Sequence, residues 1–266
     1  VPLFVLLYGI NVLLCLCRME EDCTMDAMER ISMLFAGWND TLVKSCLQGC
    51  MGEAVAATDF SAARITVGDF CFFAGQPSVD LVREAPAPIL VPHDDAWAAA
   101  IESVWQDQVK KDLRYAIRQE PADIFDCEKL AGYAADLPAG YYLKLFDRAC
   151  YHQSMAQVWS QDFCALFAGP EDYLARGIGV GAYKDDLLVA GASSYAVYEG
   201  GIEIEIDTEP EFQGKGLASA CGAQLILACL ARNLTPTWDA CDLRSVHLAE
   251  KLGYHMKGPY MVYFLR

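Results

Sequence analysis

The amino-acid sequence predicts a mixed α/β fold, and three observations carry that expectation. Short runs rich in β-branched and aromatic residues, such as ARITV and GIEIEID, alternate with segments whose apolar residues recur at helical intervals, such as MERISMLFAGW. Asp-rich and Gly-rich turns separate the runs, and no internal repeat or low-complexity tract interrupts them. With 266 residues, 54% apolar and 21% charged, the chain has an ordinary globular composition and ample core for one large domain or two modest ones.

The elements follow in order. Residues 25–47 read as an amphipathic helix carrying Met28, Ile31, Leu34, Phe35 and Trp38, with a break near Gly37. VAATDF and ARITVGDFCFFAG shorten to strand-like runs, and EAPAPILVP holds one short strand between its prolines. DDAWAAAIESVWQDQV opens on acidic capping residues and repeats Trp97, Ile101, Val104 and Trp105, so it is a helix. AADLPAG, residues 134–140, is a seam between patterned segments. It divides an N-terminal α/β domain, 25–138, from a C-terminal domain, 139–266.

Beyond the seam YYLKLFD reads as a strand, ACYHQSMAQVWSQDF as a helix and PEDYLARG as a short capped helix. GIGVGAYKDD, LLVAGASSYAVYEG and GIEIEIDT read as three successive strands. A glycine turn and a helix from near Leu217 come next, then a short strand, PTWDAC. DLRSVHLAEKLG is a helix ending at Gly253, and YHMKGPYMVYFLR a closing hairpin or strand pair.

The first residues, VPLFVLLYGINVLLCLC, are apolar but shorter than the roughly 20 residues that span a bilayer, and Gly9 and Asn11 interrupt them. They lack the charged start and the small-residue cleavage site of a signal peptide. Residues 1–24 are therefore read as an upstream extension, with native translation starting at Met19, Met25 or Met28. A membrane anchor and a docking helix are the alternatives.

The formal charge of −16 argues against a general nucleic-acid binder, which needs Lys and Arg to neutralise phosphates. An acidic surface attracts cations such as amines and repels an anionic cofactor except at a built site. The 12 cysteines include no CxxC pair, and several lie in apolar runs, so they read as free thiols of a reducing cytosol. His93, His152, His247 and His255 are scattered, and no metal site is expected.

The most informative stretch is GIEIEIDTEPEFQGKGLA. On a strand, Ile202, Ile204 and Ile206 share one face while Glu203, Glu205 and Asp207 share the other. An acidic face is costly to bury, so it meets water, a cation or a substrate. Gly214 and Gly216 then lead directly into a helix whose first turns are thin, with Ala218, Ser219, Ala220, Gly222 and Ala223. A helix N-terminus offers unpaired amides and partial positive charge, which suits an anion.

These residues resemble the GNAT superfamily of acyl-CoA-dependent N-acyltransferases, whose signature is Gln or Arg, two residues, Gly, one residue, then Gly or Ala. Here it reads Gln213-Gly214-Lys215-Gly216-Leu217-Ala218, between a strand and a helix, and DLRSVHLAEKLGY is similar to the family's last helix and strand. The resemblance covers about residues 139–266 and is closest to a bacterial subgroup with an additional N-terminal α/β portion. It implies a mostly antiparallel, splayed sheet flanked by helices. It also implies that Gln213 to Ala218 hold the pyrophosphate of acetyl-CoA, that Ile206, Asp207 and Thr208 hold its pantetheine arm, and that Asp242 and Ser245 contribute to the cofactor site.

The implied reaction moves an acetyl group from acetyl-CoA directly to a primary amine of a small molecule, with no metal. Glu203 or Glu205 would take the amine's proton. Two departures matter. Ala249 stands where many relatives carry a tyrosine acid, and Asp242 replaces their usual asparagine. Tyr254, Tyr260, His247 and Ser245 are therefore the candidate acids, Tyr254 foremost. Counting back from Thr208 puts the relatives' acidic position on Ile202 or Ile204, so a bulge in that strand would be needed to restore Glu203 or Glu205. Acceptor-binding residues are expected from the N-terminal half and from 169–177. A non-catalytic acyl-CoA binder of the same fold is the alternative.

Overall fold

The structure, a computed structural model, describes residues 26–266, and the expectations for residues 1–24 lie outside that range. Helix α1 (Ala27–Leu34) opens on Asp26, whose amide donates to Glu29 at 3.2 Å. Gly37 turns the chain in the left-handed region, φ +85°. Asp40 then starts α2 (Thr41–Leu47), its carboxylate accepting from the amides of Leu42 and Val43 at 2.8 and 3.2 Å. The break near Gly37 thus separates two helices.

Among the described residues, twelve strands form two sheets. The seven-stranded sheet comprises β1 (Glu53–Ala56), β2 (Ala62–Val67), β3 (Phe70–Gly75), β4 (Ile89–Pro92), β5 (Val109–Ile117), β11 (Asp239–Ala240) and β12 (Met256–Leu265). Its order is β1-β2-β3-β4-β12-β5-β11, antiparallel except for β3 beside β4. The five-stranded sheet comprises β6 (Tyr141–Leu145), β7 (Gly179–Lys184), β8 (Leu187–Tyr198), β9 (Gly201–Thr208) and β10 (Thr235–Thr237). Its order is β10-β9-β8-β7-β6, antiparallel except for β9 beside β10. The remaining helices are α3 (Val79–Arg83), α4 (Asp95–Trp105), α5 (Cys127–Ala135), α6 (Arg148–Met155), α7 (Pro170–Arg176), α8 (Leu217–Leu230) and α9 (Leu243–Lys251).

Helix α8 is apolar on every side because it is covered on every side. It packs against β7, β8 and β9 on one face and α5 on the other, burying Leu217, Leu225, Ile226 and Cys229 among others. Gly222 is small for a reason: a Cβ there would come within 2.8 Å of Leu252 Cδ1 and 3.2 Å of Ile206 Cδ1.

Hydrogen bonds cross the seam at 134–140. Strand β12, from the C-terminal half, lies between β4 and β5. Ser45 Oγ donates to the carbonyl of Val197 at 2.6 Å, and the amide of Asp69 donates to Tyr195 Oη at 2.9 Å. The two halves therefore share a sheet and polar contacts.

Other local expectations are corrected by packing. The closing segment is one long strand with a register shift between Met256 and Gly258, because β5 pairs with it along its length and β4 joins its other edge at Tyr263 and Phe264. The helix expected to run through QSMAQVWSQDF stops at Met155, where Ser154 and Ser160 exchange hydroxyl-to-carbonyl hydrogen bonds of 2.6 and 2.9 Å. PTWDAC divides between the sheets: β10 ends at Thr237, Trp238 spans the gap, and β11 joins β5. Strand β5 and helix α5 were not read from the sequence.

Candidate functional site

The division at Trp238 opens the site. Strand β9 is paired on both edges only as far as Glu203, the partner of Thr237. Beyond it β10 has ended and β11 has left for the other sheet. The fork encloses a cavity of about 190 Å³ walled by β9, the start of α2, the Arg114 region of β5, and Asp239 and Tyr260.

Glu203 is 6% exposed. Its Oε2 accepts from Thr41 Oγ1 on α2 and from Thr237 Oγ1, the latter at 2.6 Å, while its Oε1 is buried without a partner. Burial pushes its carboxyl up to about 8, against the two threonine hydroxyls that favour the ionised form. Two residues on, Glu205 is half-buried. Its carboxyl is also pushed up to about 8, by burial and then by Asp162 and Asp207. Asp40, at the head of α2, is raised to about 7 by burial and by Asp239. Arg114 Nε lies 2.6 Å from Asp239 Oδ2, and Tyr260 donates its hydroxyl to Asp239 Oδ1 at 2.9 Å. Burial nevertheless raises Asp239.

The expected bulge is not in β9; a bulge lies instead in the neighbouring strand β8. Register shifts between Ser194 and Ala196, so Tyr195 is the extra residue opposite β9. Strand β9 keeps strict alternation, with Ile202 and Ile204 in the core and Glu203 and Glu205 at the cavity.

At the other end of β9, residues 209–216 return the chain to α8. Gly214 and Gly216 are both left-handed, φ +75° and +81°, and a Cβ at either would meet nothing within 4 Å. No side chain caps α8. Lys215 folds back, its Nζ donating to the carbonyl of Glu211 at 3.0 Å, and Gln213 Nε2 donates to the carbonyl of Thr208 at 3.2 Å. The first amides of a 14-residue helix therefore have no side-chain cap, and the two glycines before them are exposed. Glu205 and Thr208 are three residues apart on the strand, roughly 10 Å at strand rise.

The sequence pattern of the GNAT acetyltransferase family matches residues 32–263. The chain belongs to the GNAT acetyltransferase family. The match reaches far N-terminal of the 139–266 region that carries the sequence resemblance. An uncharacterized N-acetyltransferase of Bacillus subtilis (strain 168) is 24% identical over 198 residues, 74% of this chain and 73% of the relative. The structure of a GCN5-related N-acetyltransferase-like protein from Streptococcus suis 89/1591 is 41% identical and superposes with a TM-score of 0.86, covering 90% of this chain and 98% of that one. A GCN5-related N-acetyltransferase from Kribbella flavida shares the fold at 15% identity, TM-score 0.56, over 91% of this chain and 96% of its own.

This GNAT chain brings only some of the expected site residues together. Glu203, Glu205, Ile206, Ser245 and Tyr260 line the cavity. Tyr254 does not: it is 2% exposed beneath Trp238 and Phe125, and its hydroxyl donates to the carbonyl of Pro236 at 3.0 Å. Nor does Asp242, whose carboxylate caps α9 by accepting from the amide of Ser245 at 2.9 Å. Ser245 Oγ accepts from Trp238 Nε1 at 3.1 Å. His247 is exposed elsewhere, and α7 stands off the cavity, its place taken by Asp162. Asp40, Thr41, Arg114, Asp162, Tyr195 and Asp239 were missed. Asp40 and Thr41 carried a signal, an Asp-Thr start to a helix. Arg114 carried none, since nothing local marks a cation that pairs with a residue 125 positions away. Among the described residues, no group of three His, Cys, Asp or Glu is arranged to hold a metal.

Proposed function

We propose that this GNAT acetyltransferase transfers an acetyl group from acetyl-CoA directly to a primary amine of a small molecule. The observation that carries the reading is one strand, β9, with an uncapped helix mouth at one end and two carboxylates of raised pKa at the other. The residues fit the cofactor. The space before Gly214 and Gly216 is open, so amides from Gly214 to Ala218 would hold the diphosphate. Thr208 Oγ1 is buried without a partner at the end of β9, where the pantetheine arm would run along Ile206 and Asp207. Bound there, acetyl-CoA supplies an acetyl group already activated as a thioester.

The chain's own groups do the rest. An amine must be neutral to attack, so a carboxylate has to take its proton. Glu203 and Glu205, both raised to about 8, are matched to that task near neutral pH. Glu203 offers Oε1, its one uncommitted oxygen, and Glu205 stands where the fork is open. Tyr260 replaces Tyr254 as the hydroxyl able to return a proton to the departing sulfur, and Asp239 orients it. Among the described residues every cysteine is free and most are buried, in keeping with a reducing cytoplasm.

Release of the CoA thiol from acetyl-CoA, followed across a panel of small amines with the product identified by mass, tests this reading. Amine-dependent release is expected. Tight acetyl-CoA binding without turnover across the panel would instead favour a non-catalytic acyl-CoA binder, the reading that Ala249, fully buried where many relatives carry a tyrosine, keeps open.

A further inference from the structure

We propose that the cavity selects a cationic amine that carries no carboxylate next to the reacting nitrogen. This rests on the acetyltransferase reading and names its acceptor class. Asp40, Asp69, Asp162 and Glu205 stand around the cavity with Glu203, and among the described residues the one cationic side chain in its wall is Arg114. Arg114 is already committed: it pairs with Asp239, its side chain is 13% exposed, and its guanidinium lies 4.9 Å above the Phe70 ring. Among the described residues, no cation other than this paired one stands in that wall to meet a substrate carboxylate.

The second observation is independent of the charge count. Glu203 lines the cavity, and its Oε1 is buried without a hydrogen-bond partner. An orphaned carboxylate oxygen is costly, and the ligand that satisfies it is a donor. An ammonium offers three donors and a charge. Burial holds Asp40, Glu203 and Glu205 towards their neutral forms, and a cation among them favours the ionised forms that pair with it. A carboxylate on the carbon beside the reacting nitrogen would enter the same wall and meet like charge, which disfavours it. A wider cavity of about 590 Å³ shares Asp40, Asp239 and Tyr260 with the first and adds Asp94 and Asp95 together with His93 and Lys257, so carboxylates outnumber the cation there too.

Matched pairs that differ by one carboxylate test this: cadaverine against lysine, agmatine against arginine, tryptamine against tryptophan, each with acetyl-CoA. The decarboxylated member of each pair should exceed its amino acid by about a hundredfold or more in kcat/KM. Asp162→Asn should narrow that gap by about tenfold, because it removes one wall charge. Equal turnover within the pairs, or preference for the amino acids, overturns the proposal. If no compound releases thiol, the acetyltransferase reading fails, and calorimetric binding of the same pairs decides this one: amines binding and amino acids not binding supports it, while equal binding or none overturns it.

Discussion

Thr237 donates a 2.6 Å hydrogen bond to Glu203, its register partner at the last position where β10 and β9 are paired. The strand that ends there therefore also fixes the carboxylate at the fork. Thr41 completes the grip from α2, in the N-terminal half of the chain. The buried glutamate is held at Oε2 and left free at Oε1.

Thr237→Val removes one donor that favours the ionised form of Glu203. If Glu203 is the base, the ascending limb of the kcat/KM profile moves up by about one pH unit, the equivalent of one hydrogen bond to a charged group. An unmoved limb with reduced kcat would mean that Thr237 only supports the strand.

With both glutamates raised to about 8, kcat/KM should climb with pH and level off above that value. Glu203→Gln and Glu205→Gln separate the two. The variant that lacks the base should lose 10²- to 10⁴-fold in rate and the ascending limb, with acetyl-CoA affinity little changed. Full rate in both variants from about pH 6 to 9 would remove the carboxylates from the mechanism.

Stability should move the opposite way with pH. A carboxyl raised from 4.5 to about 8 binds its proton more tightly in the folded state. It stabilises the fold below about 4.5, and that contribution is lost as pH rises through about 8. For Glu203 the loss between pH 6 and 8 is of order 2–3 kcal/mol as an upper bound. The thermal midpoint should fall over that interval by several degrees, and Glu203→Gln should fall by less. Identical slopes would mean that Glu203 is hydrated in solution.

Tyr254→Phe should cost about 1 kcal/mol of stability, since the Pro236 carbonyl loses its donor, and should leave turnover intact. Tyr260→Phe should lower kcat at least tenfold, because its hydroxyl lies in the cavity wall. Denaturant melts and steady-state rates on the two variants decide between the tyrosines, and the reverse outcome would restore Tyr254.

The glycine turn, the acidic face of β9 and the order of strands beyond residue 140 were legible because each is written in local spacing. Alternation fixes which side of β9 bears Glu203 and Glu205, and paired glycines before an apolar helix mark a backbone with a task. What stayed hidden depends on distant partners. Tyr254 looked available until Pro236 and Trp238 closed over it. Asp239 sat inside a quoted motif, yet only the departure of β11 to the other sheet turns it towards Arg114. The bulge fell in β8, since either strand of a pair can carry the extra residue.

The central claim is that main-chain amides at the mouth of α8 grip a diphosphate on an otherwise acidic protein. Calorimetric titration of acetyl-CoA into wild type and Gly216→Val tests it most directly. A valine at φ +81° carries strain of about 1–2 kcal/mol but its Cβ meets no neighbour within 4 Å, so circular dichroism should show the fold retained. The account predicts that acetyl-CoA affinity drops at least a hundredfold in the variant. Unchanged affinity in a folded variant would contradict it.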